Sequence, residues 1–332
     1  MNELLFPMAT VAGVFLILIP ALTLLSKGAL VWVRRRTSSW ADFGSEVTFA
    51  WLVAPSFLPL LWIISSALHQ SEPTRSAEFC LNDQAGAFVC QDALWLFGLL
   101  AAGMSLTAGA RLFRDRPRVA LHALGREHEL TSKVDAIVTR DPQLRALRFA
   151  VVRGSSAPLY TVGLWRPKVV IDSCFVRDMD AEVLHAAMLH EYAHIAGRDT
   201  LRNFLVRLSL ALNPAGALLK DDFARWHSAR EAMCDSEAVH LGGEALALAQ
   251  GIVCAAKFRC DHPSYAVGLC GQTNAALKLR LTLLLNGPPA PRRTLGHVFL
   301  LSFLLFALVS PHSGGSNLLD LFHMEVERIL HS

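Results

Sequence analysis

The stretch His190-Glu191-Tyr192-Ala193-His194 decides how the rest of this chain is read. It lies in the run Ala181–Ile195, which is rich in helix formers, lacks proline and glycine, and follows Asp178 and Asp180 as candidate N-caps. On a helix, side chains four apart share a face, so His190 and His194 can aim imidazole nitrogens at one Zn²⁺. Glu191 is next to a ligand in sequence but turned around the helix, where it can hold a water instead of the metal.

A catalytic zinc takes three protein ligands and keeps one position open. Thirty-seven residues after His194 stands Glu231-Ala232-Met233-Cys234-Asp235, again with acids four apart on a helical segment. Glu231 is assigned as the third ligand, with Cys234 a weaker competitor, and Asp235 as the group that orients a ligating imidazole. One Zn²⁺ per chain on this set would polarise a peptide carbonyl, and Glu191 would serve as general base. His227, four residues before Glu231, either faces the site as an oxyanion binder or lies on the surface, and the surface reading is preferred. His185 and His240 each sit five residues from a motif member, off the shared face. Cys254, Cys260, His262 and Cys270 match no compact zinc-finger spacing, so these cysteines, like Cys174, are read as free thiols.

Around the motif, the segment 114–292 is the part of the chain large enough for a catalytic domain. A helix is expected from about Arg118 to Thr139, then strands at Leu147–Val152 and Val169–Ile171, with the turn-rich Gly154–Pro167 between them. The uncharged run Leu208–Leu219 is too short to span a bilayer and is read as a buried helix in preference to one lying on the membrane. Lys168-Val169-Val170-Ile171-Asp172 is β-branched and begins after Pro167. It is therefore read as an edge strand whose Val169, Val170 and Ile171 form a wall of a peptide cleft, free backbone groups facing the metal.

Composition places this domain at a membrane. The 332 residues are 53% hydrophobic and only 18% charged, with a mean hydropathy of +0.37, which excludes a disordered chain and is unusual for a soluble enzyme. Net charge is +3, giving no reason to expect direct contact with nucleic acid. Uncharged stretches run over Leu4–Ser26, Val47–Leu68, Ala93–Ala110 and Leu295–Ser310, of which the last is short. A cleaved signal peptide is disfavoured for the first, because Met1-Asn2-Glu3 carries no basic residue. Basic clusters at Arg34-Arg35-Arg36, at Arg111 to Arg118 and at Arg292-Arg293 are expected inside, which leaves both termini and the acidic loop outside. The organisation is three transmembrane helices over 1–113 with an outer loop at 69–92, an inner domain over 114–292, a fourth span over 293–311 and an outer tail over 312–332. Cys80 and Cys90 both fall in that outer loop and are expected to form a disulfide there.

With these residues in hand, the sequence resembles the membrane metallopeptidases of the beta-lactam sensor-transducer type (BlaR/MecR). The resemblance runs through His190-Glu191-x-x-His194, Arg198-Asp199, Asn213-Pro214 and Glu231-x-x-Cys234-Asp235, and upstream through Gly163-x-x-Arg166-Pro167-x-Val169-Val170. It implies an α-helical protein of the bacterial cytoplasmic membrane, with four transmembrane helices and a cytoplasmic α+β, gluzincin-like zinc metallopeptidase domain. By it His190, His194 and Glu231 bind zinc, Glu191 is the base, Asp199 joins Asp235 behind the ligands, and the substrate is a cytoplasmic transcriptional repressor. Those sensors carry an outer penicillin-binding domain after the fourth span. Here Pro311–Ser332 follows it, and no Ser-x-x-Lys acylation motif occurs in these residues. Direct covalent sensing is not expected of them; a separate sensor protein or a second copy of the chain is the expected partner. The tail Asn317–His331 is amphipathic and suits the outer membrane surface or a partner. The alternatives are a housekeeping protease of HtpX type and a non-catalytic scaffold with structural zinc.

The topology yields a direct test. A membrane-impermeant thiol reagent should label Cys80 and Cys90 in intact cells only after reduction. Labelling without reduction removes the disulfide, and no labelling of accessible protein after reduction removes the outer location.

Overall fold

The computed structural model describes residues 13–36, 46–69, 122–155, 157–261 and 274–286, with isolated positions between 103 and 110. Most of the third stretch, the fourth stretch, the tail, His262, Cys270, and the loop with Cys80 and Cys90 lie outside the described residues. The described part of the first apolar stretch, and the second, are helical: α1 (Ile19–Arg36), entered through a π-helical turn at Val14–Leu18, and α2 (Glu46–His69). Phe15–Trp32 is long and apolar enough to cross a bilayer.

The unit that carries the histidine motif opens with β1 (His122–Ala123) and α3 (Glu129–Arg140). The helix expected from Arg118 therefore starts later. His128 in extended conformation stops it, its ring nitrogen accepting the Leu130 N–H at 3.2 Å as an N-cap. Then follow β2 (Phe149–Arg153), β3 (Leu159–Val162), β4 (Lys168–Asp172), α4 (Ser173–Asp178) and α5 (Ala181–Ala196), which carries the histidines. After α6 (Asp199–Leu212) come a 3₁₀ turn at Gly216–Leu219, α7 (Lys220–His240), α8 (Ala245–Asp261) and α9 (Asn274–Leu285). The run Leu208–Leu219 is thus two pieces. Pro214 cannot continue a helix, and Asn213 Oδ1 takes the Ala215 N–H at 2.8 Å to turn the chain.

The sheet order is β1-β2-β4-β3, and this overturns the edge-strand reading of Lys168–Asp172. β4 is parallel to β2 on one side and antiparallel to β3 on the other. Val169, Val170 and Ile171 are buried, and their backbone groups are used by the ladder. Pro167 precedes the strand, where its missing N–H weakens no ladder bond, so it does not signal an edge. The turn-rich segment after Gly154 conceals the true outer strand, β3, which packs on α5.

Two cores result. One surrounds α5, with Val183, Leu184, Met188 and Leu189 packed among Val134, Val151, Ile171, Phe175 and Leu248. The other joins the membrane-type helices to the unit that carries the histidine motif: Leu30, Phe49 and Leu52 pack on Val206, Leu219, Trp226 and Ala229. Polar clasps fix this second contact. Ser209 Oγ donates to Leu52 O at 3.0 Å, Ser56 Oγ donates to Ser209 O at 2.8 Å, and Asn213 Nδ2 donates to Thr23 Oγ1 at 2.8 Å. Lys27 on α1 pairs with the buried Asp222 at the start of α7.

Removing one member of a buried pair leaves an uncompensated charge, at a cost of about 3–5 kcal/mol. Lys27 is partly exposed, so Lys27→Ala should fall near the lower end. A thermal melt in detergent measures it. Lys27→Met combined with Asp222→Leu should recover most of the lost stability; no recovery would remove the pair from the docking contact.

Candidate metal centre

The helix α5 sets His190 and His194 one turn apart, rings edge to face with centroids 4.7 Å apart. Their Nε2 atoms lie 3.1 Å from each other. From α7, Glu231 brings Oε2 to 3.8 Å from His190 Nε2 and Oε1 to 3.5 Å from His194 Nε2. Bonds of ~2.0–2.1 Å in a tetrahedron separate neighbouring ligand atoms by about 3.3 Å. The observed separations bracket that value, and the three side chains form a close group of metal-type donors.

The far side of each ring is tied to a carboxylate. His194 Nδ1 is 2.8 Å from Asp199 Oδ2 in a hydrogen bond, and His190 Nδ1 is 2.9 Å from Asp235 Oδ1 in an ion-pair contact. A carboxylate at Nδ1 holds the proton on that nitrogen and leaves Nε2 as a lone pair. The two Nε2 atoms face each other at 3.1 Å, a separation that a shared proton or a metal ion held by both rings can occupy. The donor set therefore fits a metal ion, and two imidazoles with one carboxylate suit zinc.

The buried carboxylates around the donors are charge-paired. Four acids surround the centre, Glu191, Asp199, Glu231 and Asp235, all at least nine-tenths buried. Two guanidiniums answer them. Arg280 from α9 donates from Nε to Asp235 Oδ2 at 2.6 Å, from Nη2 to Oδ1 at 2.7 Å, and from Nη1 to Glu231 Oε2 at 3.0 Å. Arg230 Nη2 donates to Asp199 Oδ1 and Oδ2 at 2.7 and 2.9 Å. His194 adds a third favourable partner: burial opposes its charge, but the neighbouring Glu231 and Asp199 raise its pKa well above the usual imidazole value. Burial would raise the Glu231 carboxyl, but His194 and then Arg280 outweigh it and hold it at about 2. Burial opposes ionisation of Asp235 and Asp199 too, yet Arg280 beside the first and His194 with Arg230 beside the second hold both well below the usual carboxylate range.

Local backbone serves this lattice. Arg198 takes a left-handed conformation, φ 52°, between α5 and α6, and Asp199 then opens α6. Gly197 is required beside it: a Cβ there would lie 2.5 Å from Arg230 Nη2 and 3.1 Å from Asp199 Oδ1. Asp180 stands at the N-cap of α5, without a side-chain capping bond.

Glu191 points elsewhere than the ligands. It is buried, and its Oε2 accepts the Thr161 hydroxyl of β3 at 2.6 Å. Cys234 does not compete with Glu231. Its Sγ lies on the Nδ1 side of His194, at 3.3 Å, and donates to Asp199 Oδ2 at 3.4 Å. His194, Asp199 and Cys234 make a second close donor group, but Arg230 already supplies the positive charge there. Burial pushes the Cys234 thiol up. His227 is not a surface residue: it is half-buried on α7, edge-on to Phe223, and burial lowers its pKa. His185 pairs with Asp141 at 2.7 Å and His240 is exposed, so both stand apart from the centre. Cys174, Cys234 and Cys254 are free thiols.

Three residues that sequence reading missed belong here: Arg280, Arg230 and Thr161. Arg280 had a signal, as a lone guanidinium in the apolar helix Asn274–Leu285. Arg230 adjoins Glu231, which is a weaker cue, and nothing in the sequence singles out Thr161.

Arg280→Ala should destabilise the fold by about 3–5 kcal/mol, because it strands two buried carboxylates. It should also weaken zinc retention by roughly 10–100-fold, the usual effect of losing a group behind the ligands. Arg280→Lys should not restore either, since one ammonium cannot replace a fork. Melting and chelator competition read the two effects separately; unchanged zinc affinity in folded Arg280→Ala would exclude the role.

No curated protein and no solved structure matches this chain. The family described as BlaR1 peptidase M56 matches it over residues 59–284, which takes in β1 to α9 and hence every residue of the centre. The paired histidines on α5, the glutamate on α7 and that match over more than half the length together place the chain in the BlaR1 peptidase M56 family.

Proposed function

We propose that this protein is a multi-pass membrane zinc endopeptidase that cuts a cytoplasmic protein in signal-responsive gene regulation. The observation that carries the reading is the meeting of His190, His194 and Glu231 with a non-ligating Glu191 held beside them. A structural zinc site needs no base, so Glu191 favours catalysis over a scaffold role.

Zinc, when bound, polarises the scissile carbonyl and brings a water's pKa toward about 7. The chain's own residues do the rest. Asp199 and Asp235 hold the two imidazoles in the tautomer that offers Nε2. Glu191 takes the proton from the attacking water and returns it to the leaving amine. β3 is the outer strand of the sheet and packs on α5, so an extended peptide can add to its free side and lie across the centre.

The membrane part of the proposal rests on the four uncharged stretches and the basic clusters between them, with α1 long enough to span. It places the peptidase unit in the cytoplasm of a bacterium and both termini outside. The substrate class, a transcriptional repressor, follows the family resemblance, as does a separate sensor or second copy as partner. A link to antibiotic resistance rests on the same resemblance.

Glu191→Ala should retain zinc and lose about 10²–10⁴-fold in turnover, because the base acts on the barrier and not on ligation. Metal analysis and a cleavage assay on the same sample decide it, and full turnover would end the mechanism. Comparing proteomes of cells with wild type and Glu191→Ala separates one cut in one repressor from many cuts in unfolded membrane proteins. The second pattern would assign a housekeeping role.

A further inference from the structure

The bond between Thr161 and Glu191 crosses from the sheet to the zinc helix, and the register of β3 shows what else Thr161 does. Val169 N–H donates to Arg148 O at 2.8 Å, so the Val169 backbone faces β2. Backbone groups alternate sides along a strand. Val170 therefore faces β3, where Tyr160 is its partner, and Asp172 N–H donating to Pro158 O at 2.8 Å keeps the same parity. Leu159 and Thr161 then turn their N–H and C=O to the side of β3 that pairs with no other strand among the described residues. Thr161 has its backbone on the open edge and its hydroxyl, perpendicular to it, 2.6 Å from Glu191 Oε2.

We infer that Thr161 is a positioning residue for the reaction: its hydroxyl fixes the Glu191 carboxylate while its backbone lies on the edge where substrate pairs. The inference rests on the peptidase reading above. A carboxylate on a helix surface has free rotation about its last torsion. One short charge-assisted bond to a residue on a different element removes that freedom and leaves Oε1 to face the water. Donor and substrate edge belong to one residue, so a peptide seated on β3 is registered against the base rather than only against the metal. The preorganised distance matters because a misplacement of about 1 Å can cost about 10²-fold in rate.

The test uses the full chain in detergent. Thr161→Val keeps the branched shape and removes the donor; Thr161→Ser keeps the donor. Thr161→Val should lose about tenfold in kcat, the size expected for one hydrogen bond to a charged group, with KM and zinc content unchanged. Thr161→Ser should stay near wild type. An independent readout is the infrared carboxylate band of Glu191, isolated by subtracting the Glu191→Gln spectrum; it should move in Thr161→Val and not in Thr161→Ser. If Thr161→Val fails to fold, Thr161→Ala carries the same expectations. Wild-type kcat in the donor-less variant, a rise in KM alone, or an unmoved band would each overturn the proposal. If the band moves but the wild-type chain cleaves no peptide, the peptidase reading falls while the contact between Thr161 and Glu191 stands.

Discussion

Two imidazole nitrogens held 3.1 Å apart, with a carboxylate close to the far side of each ring, converge with Glu231 on one point. Much of the unit around them can be derived from that convergence. The rings hold still because Asp199 and Asp235 brace them, and those acids stay ionised while buried because Arg230 and Arg280 face them. Gly197, with no side chain, leaves room for the Arg230 guanidinium on Asp199, and Arg198 in a left-handed conformation leads into Asp199. Each layer is justified by the one inside it. The same buried carboxylates face the metal position and the guanidiniums, so loading of a divalent ion and stability of the fold are one thermodynamic problem.

The motif residues were readable because helical periodicity is local. His190, Glu191 and His194 on one helix, and Glu231 with Asp235 on another, needed only spacing and residue type, and the structure brings all five together. What failed was non-local. The sheet pairs β2 with β4 across an intervening strand, so Lys168–Asp172 looked like an edge although it is internal. β3 hid among Gly154, Gly163 and Pro167, which read as turn residues, and Thr161 hid with it. Arg280 lies 49 positions from Glu231, and only the tertiary fold brings the two together. His227 reads as a surface residue in the sequence; packing against Phe223 covers it instead.

The helix α7 joins two environments. Near its start Asp222 pairs with Lys27, and Trp226 packs on Phe49 with ring centroids 5.9 Å apart. Five residues beyond Trp226 comes Glu231, and then Asp235. Within about three turns the same rigid rod passes from an apolar layer of membrane-type helices to the donors of the metal centre. The position of Glu231 is therefore set from both ends, by Arg280 at the centre and by α1 and α2 at the other.

That arrangement bears on how the protein can be taken apart. A fragment trimmed to the catalytic unit would uncover Val206, Leu219 and Trp226 to water and leave Asp222 without its lysine. It would tend to self-associate through that surface, and the rod carrying Glu231 would be free to shift. Truncation would yield an altered enzyme rather than a smaller one, and the least portion that keeps the geometry of the centre includes both α1 and α2.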